Sequence, residues 1–168
     1  MRVELSDLDS PALVALLTEH VRQLRTLSPP ESTHALDLDG LRQPAVTCWS
    51  VLDGDELLGC GALQQLDGRH AEIKSMRTAT AHRGRGVAAL VLRHLIAEAA
   101  DRGVHRLSLE TGSAAFFAPA RRLYERHGFV RCGPFGDYRE DPNSVFMTAQ
   151  PANAATTWSE VSGVENIG

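Results

Sequence analysis

The residues best suited to chemistry stand together in the stretch "HRGRGVAALVLRHLIAEAADRG", from His82 to Gly103. Arg83, Gly84, Arg85 and Gly86 come directly before an apolar run with helical spacing. A helix start leaves four N–H groups without partners and carries about half a positive charge. It therefore attracts anions. Gly84 and Gly86 have no Cβ, so their N–H groups can approach an oxyanion closely, and Arg83 and Arg85 add full charges. The predicted ligand is a diphosphate.

Two diphosphate-bearing nucleotides compete for this loop. The segment "GRGVAA" satisfies G-x-G-x-x-A, the dinucleotide fingerprint, and Glu110 follows at the end of the next strand, near the place of a ribose-binding acid. That reading gives an NAD(P)-dependent oxidoreductase. The fingerprint belongs in the first βαβ unit, however, and here "ATAH" separates it from a strand that closes an antiparallel meander. Arg83, Gly86 and Ala88 also meet R-x-x-G-x-A at a helix start, the pattern of a coenzyme A pyrophosphate loop.

The elements around the loop follow from periodicity and turn signals. "RVEL" predicts a strand, and Ser10 with Pro11 starts a helix whose apolar face is Leu13, Leu16, Leu17, Val21 and Leu24. A proline-rich loop leads to a short helix expected from Ser32 to Leu41. Three extended runs, "AVTCWSVLD", "LLGCGALQQL" and "AEIKSMRT", are separated by "DGDE" and "DGRH" and predict a meander. The loop helix ends at Gly103, "VHRLSLET" is a strand, and "PARRLYERHG" is an amphipathic helix stopped by Gly128. "FVRCGPFG" and "SVFMTAQ" are the last strands. The expected fold is mixed α/β in one domain over residues 1–150: about seven mostly antiparallel strands flanked by about four helices. The segment 151–168 is small, polar and aperiodic, and is expected to be coil or disordered.

In this order of elements the chain resembles the GNAT superfamily of N-acetyltransferases. The specific part runs from Glu72 to Phe129 and holds "AEIKSMRTATAHRGRGVAALVLRHLI" and "PARRLYERHGF", which looks like the family segment A-x-x-L-Y-x-x-x-G-F. The resemblance implies acetyl-CoA as cosubstrate. Met76, Arg77 and Thr78 would align it through their main chain. The amides from Gly84 to Ala89, thus Gly84, Arg85, Gly86, Val87, Ala88 and Ala89, would hold its pyrophosphate, with the Arg83 and Arg85 side chains near it. Family members often carry an asparagine where this chain has Phe117, so Phe117 is expected to pack against the pantetheine arm or the core. Glu72 stands where some members place a catalytic base, and Tyr124 matches the tyrosine that protonates the leaving thiolate. Transfer to an amine needs both groups: the alkyl ammonium must lose a proton before it attacks, and the thiolate is a fair leaving group once protonated. The acceptor would be a small-molecule or peptide amine, met by Glu31, His34, Asp37, Asp137 and Tyr138. A non-catalytic acyl-CoA-binding module is the other alternative, and family members often form dimers, so a homodimer is an expected assembly.

Composition narrows the remaining classes. The 168 residues carry 17 Lys plus Arg against 21 Asp plus Glu, a net charge of -4, with no block of one sign. Attraction to nucleic acid or to an anionic membrane is not indicated. No apolar run is long enough to span a bilayer, and the acidic N-terminus is unlike a secretory leader, so a cytoplasmic protein is expected. Cys48, Cys60 and Cys132 lack C-x-x-C spacing and fall in apolar stretches, which suits buried reduced thiols. No cysteine adjoins the loop or an activating histidine, which favours direct transfer over a covalent enzyme intermediate. The histidines lack metal-ligand spacing, and no metal is expected.

Overall fold

The computed structural model describes residues 1–154 of the chain. Strand β1 is Arg2–Leu5 and helix α1 is Pro11–Leu27; a 3₁₀ turn, Pro30–Ser32, then leads to the single turn of α2, Leu38–Leu41. The meander is β2, Val46–Asp53, β3, Glu56–Gln65, and β4, His70–Thr78. Helix α3, Val87–Asp101, precedes β5, Arg106–Gly112, and helix α4, Ala118–Arg126, precedes β6, Val130–Cys132, and β7, Ser144–Ala149.

These strands form one seven-stranded sheet in the order β1-β2-β3-β4-β5-β7-β6. Only β4 and β5 pair in parallel, and their ladder runs from His70 opposite Arg106 to Ile73 opposite Leu109, then stops. Beyond it the strands part company. Arg77 and Thr78 stay with β3, whereas Glu110, Thr111 and Gly112 stay with β7. On its other edge β4 carries a bulge: Cys60 pairs with Arg77 but Ala62 with Lys74, so β4 holds one residue too many, and Ser75 takes up the difference at φ 54.

Helices cover both faces of the sheet. The larger core joins Val87, Val91, Leu92, Leu95 and Ile96 of α3 and Leu123 and Tyr124 of α4 to strand residues such as Leu58, Leu63, Leu107 and Met147. The smaller core sets Leu13 and Leu17 of α1 and Leu41 of α2 against Cys48, Cys60 and Ala62. Alternation along β3 decides the split: Cys60 and Ala62 lie under α1, while Gly59 and Gly61 face α3. At Gly61 the helix approaches so closely that a Cβ would stand 2.5 Å from Val91 Cγ1.

Three local expectations change. The helix foreseen from Ser32 to Leu41 is instead a 3₁₀ turn and one helical turn with residues 33–37 irregular between them, because Ser32 bonds Asp141 and His34 O accepts from Lys74 instead of from the next turn, and Asp37 starts α2 afresh as its cap, accepting from Gly40 N–H at 2.8 Å. Cys48 and Cys60 are buried thiols as expected, but Cys132, on the edge strand β6, is half-buried. Residues 151–154 are helical where coil was foreseen, and Ala154 is 3% exposed in the larger core. The rest of that segment lies outside the described residues.

Replacing Gly61 by Ala is expected to destabilise the protein by about 1–3 kcal/mol, through a shift of α3 off the sheet. Urea unfolding checks this, and an unchanged midpoint would contradict the close approach.

Candidate functional site

The parting of β4 and β5 opens a cavity of 620 Å³ through the middle of the sheet. Its floor is Glu72 to Thr78 of β4 and Leu109 to Gly112 of β5. Arg83, Gly84 and Gly86 form one wall, with Val87, Ala88 and Ala89 of α3. Gly84 and Gly86 sit at φ 78 and 80, left-handed values that glycine adopts without strain, and open space lies above both. Leu90 is the first residue of α3 to close a helical hydrogen bond, onto Gly86 O at 3.1 Å. The amides ahead of it are thus left for an anion.

Arg85 is the exception among the loop residues. It does not line the cavity; its guanidinium bonds His82 Nδ1 at 2.8 Å and lies 3.5 Å from Asp53. Its side chain therefore has nearer partners than the loop's ligand. On the opposite wall Phe117 seats its ring over Gly112, where a Cβ would meet ring carbons at 2.1 Å, and makes an edge-to-face contact with exposed Phe116. Phe117 is half-buried and lines the cavity.

A second cavity, of 660 Å³, lies between the loop after α1 and the β6–β7 connection. Glu31, Asp137, Glu140 and Asp141 line it, with Arg139 as its cation. His34, Glu72 and Tyr138 line both cavities. Asp37 does not reach either one, because its carboxylate caps α2. Hydrogen bonds tie the two loops together, from Ser32 Oγ to Asp141 Oδ2 at 2.5 Å and from Asn143 Nδ2 to Ser32 Oγ at 3.4 Å.

Glu72, 4% exposed, is the junction between the cavities. Tyr138 donates its hydroxyl to Glu72 Oε2 at 2.5 Å, and Lys74 Nζ stands 3.4 Å from the same oxygen. Lys74 also donates to His34 O at 2.9 Å and to Tyr138 Oη at 3.0 Å. Burial pushes the Glu72 carboxyl above its usual range, while Lys74 and the Tyr138 hydroxyl pull it back. Burial and the Glu72 charge raise Tyr138, which stays a neutral donor. Tyr124 is 8% exposed, is pushed up to about 12 by burial and by Glu110, and donates to Met76 Sδ at 3.8 Å.

Two cavities that meet at one buried carboxylate suit an enzyme that brings two substrates to a common point. Sequence comparison gives that class its identity: the chain belongs to the acetyltransferase (GNAT) family, whose model matches residues 13–129, and it is an acyltransferase. It is 58% identical over 148 residues to the uncharacterized N-acetyltransferase YsnE of Bacillus subtilis (strain 168), covering 88% of this chain and 98% of that protein. To the uncharacterized N-acetyltransferase YedL of Escherichia coli (strain K12) it is 52% identical over 146 residues, 87% of this chain and 92% of the other. Its fold matches a GNAT family acetyltransferase from Elizabethkingia anophelis solved with acetyl-CoA bound, with a TM-score of 0.62 at 17% identity, covering 89% and 97% of the two chains. The oxidoreductase reading falls with this finding, and the fold supplies the reason: the glycine loop follows the last strand of an antiparallel meander, and the one parallel pair it connects, β4 with β5, parts after Ile73 and Leu109 instead of continuing a parallel sheet.

Four residues of the cavity carry more than the sequence suggested. Lys74 joins Glu72 to Tyr138, and Ser75 and Arg77 line the floor beside the bulge. Glu110, set aside above as a ribose ligand, lines the same cavity; burial pushes it up to about 7, against the pull of Lys74 and with the push of Glu72. A signal for Glu110 was available in its place at the end of a strand facing the loop, but its titration depends on neighbours from β4.

Because the folded state holds the Glu110 proton more tightly than the unfolded chain does, stability should fall as pH rises from about 4.5 through about 7. Glu110→Gln is expected to match the parent near pH 4.5 and to exceed it in stability near pH 8. Thermal melts across that range read the difference, and parallel profiles for the two proteins would refute it.

Proposed function

We propose that this chain transfers the acetyl group of acetyl-CoA directly to a primary amine of a small molecule or peptide, in the cytoplasm. The observation that carries the reading is the position of Glu72, buried on the wall common to both cavities. The first cavity fits a pantetheine diphosphate. The free amides ahead of Leu90 suit the pyrophosphate, and past Ile73 and Leu109 the facing edge of β4 has no strand partner, so an extended arm can lie there as a strand would. Arg83 adds charge at the pyrophosphate end.

The acceptor enters by the second cavity, where Glu31 and Asp137 favour an ammonium group and His34 and Tyr138 narrow the passage. Glu72, as base, takes the proton of the acceptor ammonium directly or through a water. The amine nitrogen bonds the thioester carbonyl carbon, and main-chain N–H groups near Met76 and Arg77 meet the oxygen that gains charge. As the carbon–sulfur bond breaks, the Tyr124 hydroxyl supplies a proton to the leaving sulfur, and the second proton that the nitrogen sheds as the amide forms restores the tyrosine, through solvent. Its high pKa keeps it protonated at neutral pH, and a sulfur atom already sits at its tip.

Glu72→Gln should lower kcat for acetyl transfer about 10²–10⁴-fold while acetyl-CoA binding stays micromolar, and Tyr124→Phe should lower kcat with little change in acceptor KM. In the parent, kcat should fall on acidification through a pKa above the ordinary glutamate value, since Glu72 must be ionised to act. Thiol release and calorimetry, with NADH as the control ligand, measure all of these. Binding of NADH in place of acetyl-CoA, or full activity in the Glu72 variant, would overturn the assignment.

A further inference from the structure

The bulge in β4 has a consequence for the acceptor. Gln64, Ala62 and Cys60 of β3 stand opposite Glu72, Lys74 and Arg77, and Cys60 and Ala62 lie under α1. Glu72, Lys74 and Arg77 therefore share the face that α1 and the following loop cover. Lys74 reaches His34 O in that loop, and Arg77 Nη1 donates to Gln23 Oε1 of α1. Lys74 has its full set of partners. Arg77 does not: its Nε is buried without an acceptor, and the Glu19 carboxylate acts on it through charge without forming an ion pair.

Two further groups beside it lack partners. Ser75, 8% exposed, has a buried Oγ with no hydrogen bond, and His20 of α1 has a buried Nδ1 with none. All three residues line the first cavity. Burial and the charge of Arg77 push His20 down to about 4, so its ring is neutral and Nδ1 is free to bond a ligand. Buried polar atoms are almost always satisfied, and a buried guanidinium N–H left without an acceptor costs more than a neutral donor. Three together on one cavity wall point to a polar ligand group, and a planar fork of donors beside a hydroxyl matches a carboxylate.

Resting on the acetyl-transfer reading, we propose that Arg77, Ser75 and His20 form a carboxylate subsite, and that the acceptor is an amine that also carries a carboxylate. The two ends of the acceptor face then have opposite charge. Glu72, with Glu31 and Asp137 beyond it in the second cavity, receives the ammonium end, and the rest of the acceptor passes this junction into the α1 side of the first cavity, where Arg77, farther along β4, receives the anionic end. Five residues of strand separate Glu72 from Arg77, roughly 15 Å less the inward reach of both side chains, which favours an amino group placed several bonds from the carboxylate. The other source of an anion at this point is a phosphate of the cofactor, since Arg83 lies close enough for its charge to act on Arg77.

The test uses a length series of glycine, 4-aminobutyrate and 6-aminohexanoate, with the amide of each and with hexylamine. Acceptor binding is measured by calorimetry in the presence of CoA, and turnover by thiol release with acetyl-CoA. At least one amino acid of the series should bind and react with a KM at least about tenfold below that of its amide. Arg77→Gln should abolish that preference, Arg77→Lys should restore part of it, and Ser75→Ala should weaken it, with acetyl-CoA affinity unchanged in each because the main chain remains. Equal binding of acid and amide by the parent, or binding of neither, would overturn the subsite without any variant. Loss of acetyl-CoA affinity in Arg77→Gln with the acid preference intact would assign Arg77 to the cofactor instead. Acid-selective binding with no thiol release from any amine would retain the subsite and reject the transfer reading.

Discussion

The parallel ladder of β4 and β5 ends at Ile73 and Leu109, and the gap beyond it organises the rest of the molecule. A sheet that lets two central strands separate exposes main-chain groups in its interior, and those groups need partners. Under the acetyl-transfer reading, that partner is an extended ligand arm, held at one end by the start of α3. The glycines ahead of α3, the apolar wall at Phe117 and the buried face of α4 are all placed by that one opening. Because the strands diverge within the sheet, the opening passes from one face to the other, so two ligands can meet without sharing an entrance.

Charge at the meeting point is balanced very locally. Among the described residues Lys74 is the cation set among Glu72, Glu110 and the Tyr138 hydroxyl, and it also bonds a loop carbonyl. Removing water from this cluster strengthens every interaction in it and leaves the carboxylates easier to protonate than in solution. A carboxylate with a raised pKa is a stronger base, so the burial that costs stability would also serve the proton removal proposed for Glu72. Tyr138 holds the Glu72 oxygen in one direction while remaining neutral itself.

The diphosphate loop was legible because its signal is local: glycines, arginines and an apolar helix within a few residues. The meander, α3 and α4 were legible from periodicity, and the roles proposed for Glu72 and Tyr124 come from family resemblance. The face of Arg77 was not. Strict alternation through "EIKSMRT" sets Glu72, Lys74, Met76 and Thr78 on one side and Arg77 on the other; the extra residue at Ser75 reverses the order, so that Arg77 joins Glu72 and Lys74. A bulge depends on what the neighbouring strand does, and no residue type announces it. The irregular stretch between Ser32 and Leu41 escaped for a related reason, since its conformation rests on bonds to Asp141 and Lys74, far away in the chain.

The bond between Ser32 and Asp141, with Asn143 beside it, joins two loops that different parts of the chain contribute. Each loop supplies one side of the second cavity, so the sides share a width set by a hydroxyl and a carboxylate. Altering the acceptor range by exchanging one loop alone would leave the other reaching for a missing partner. The two segments form a single heritable module despite their distance in sequence, and swapping them between relatives should succeed only as a pair.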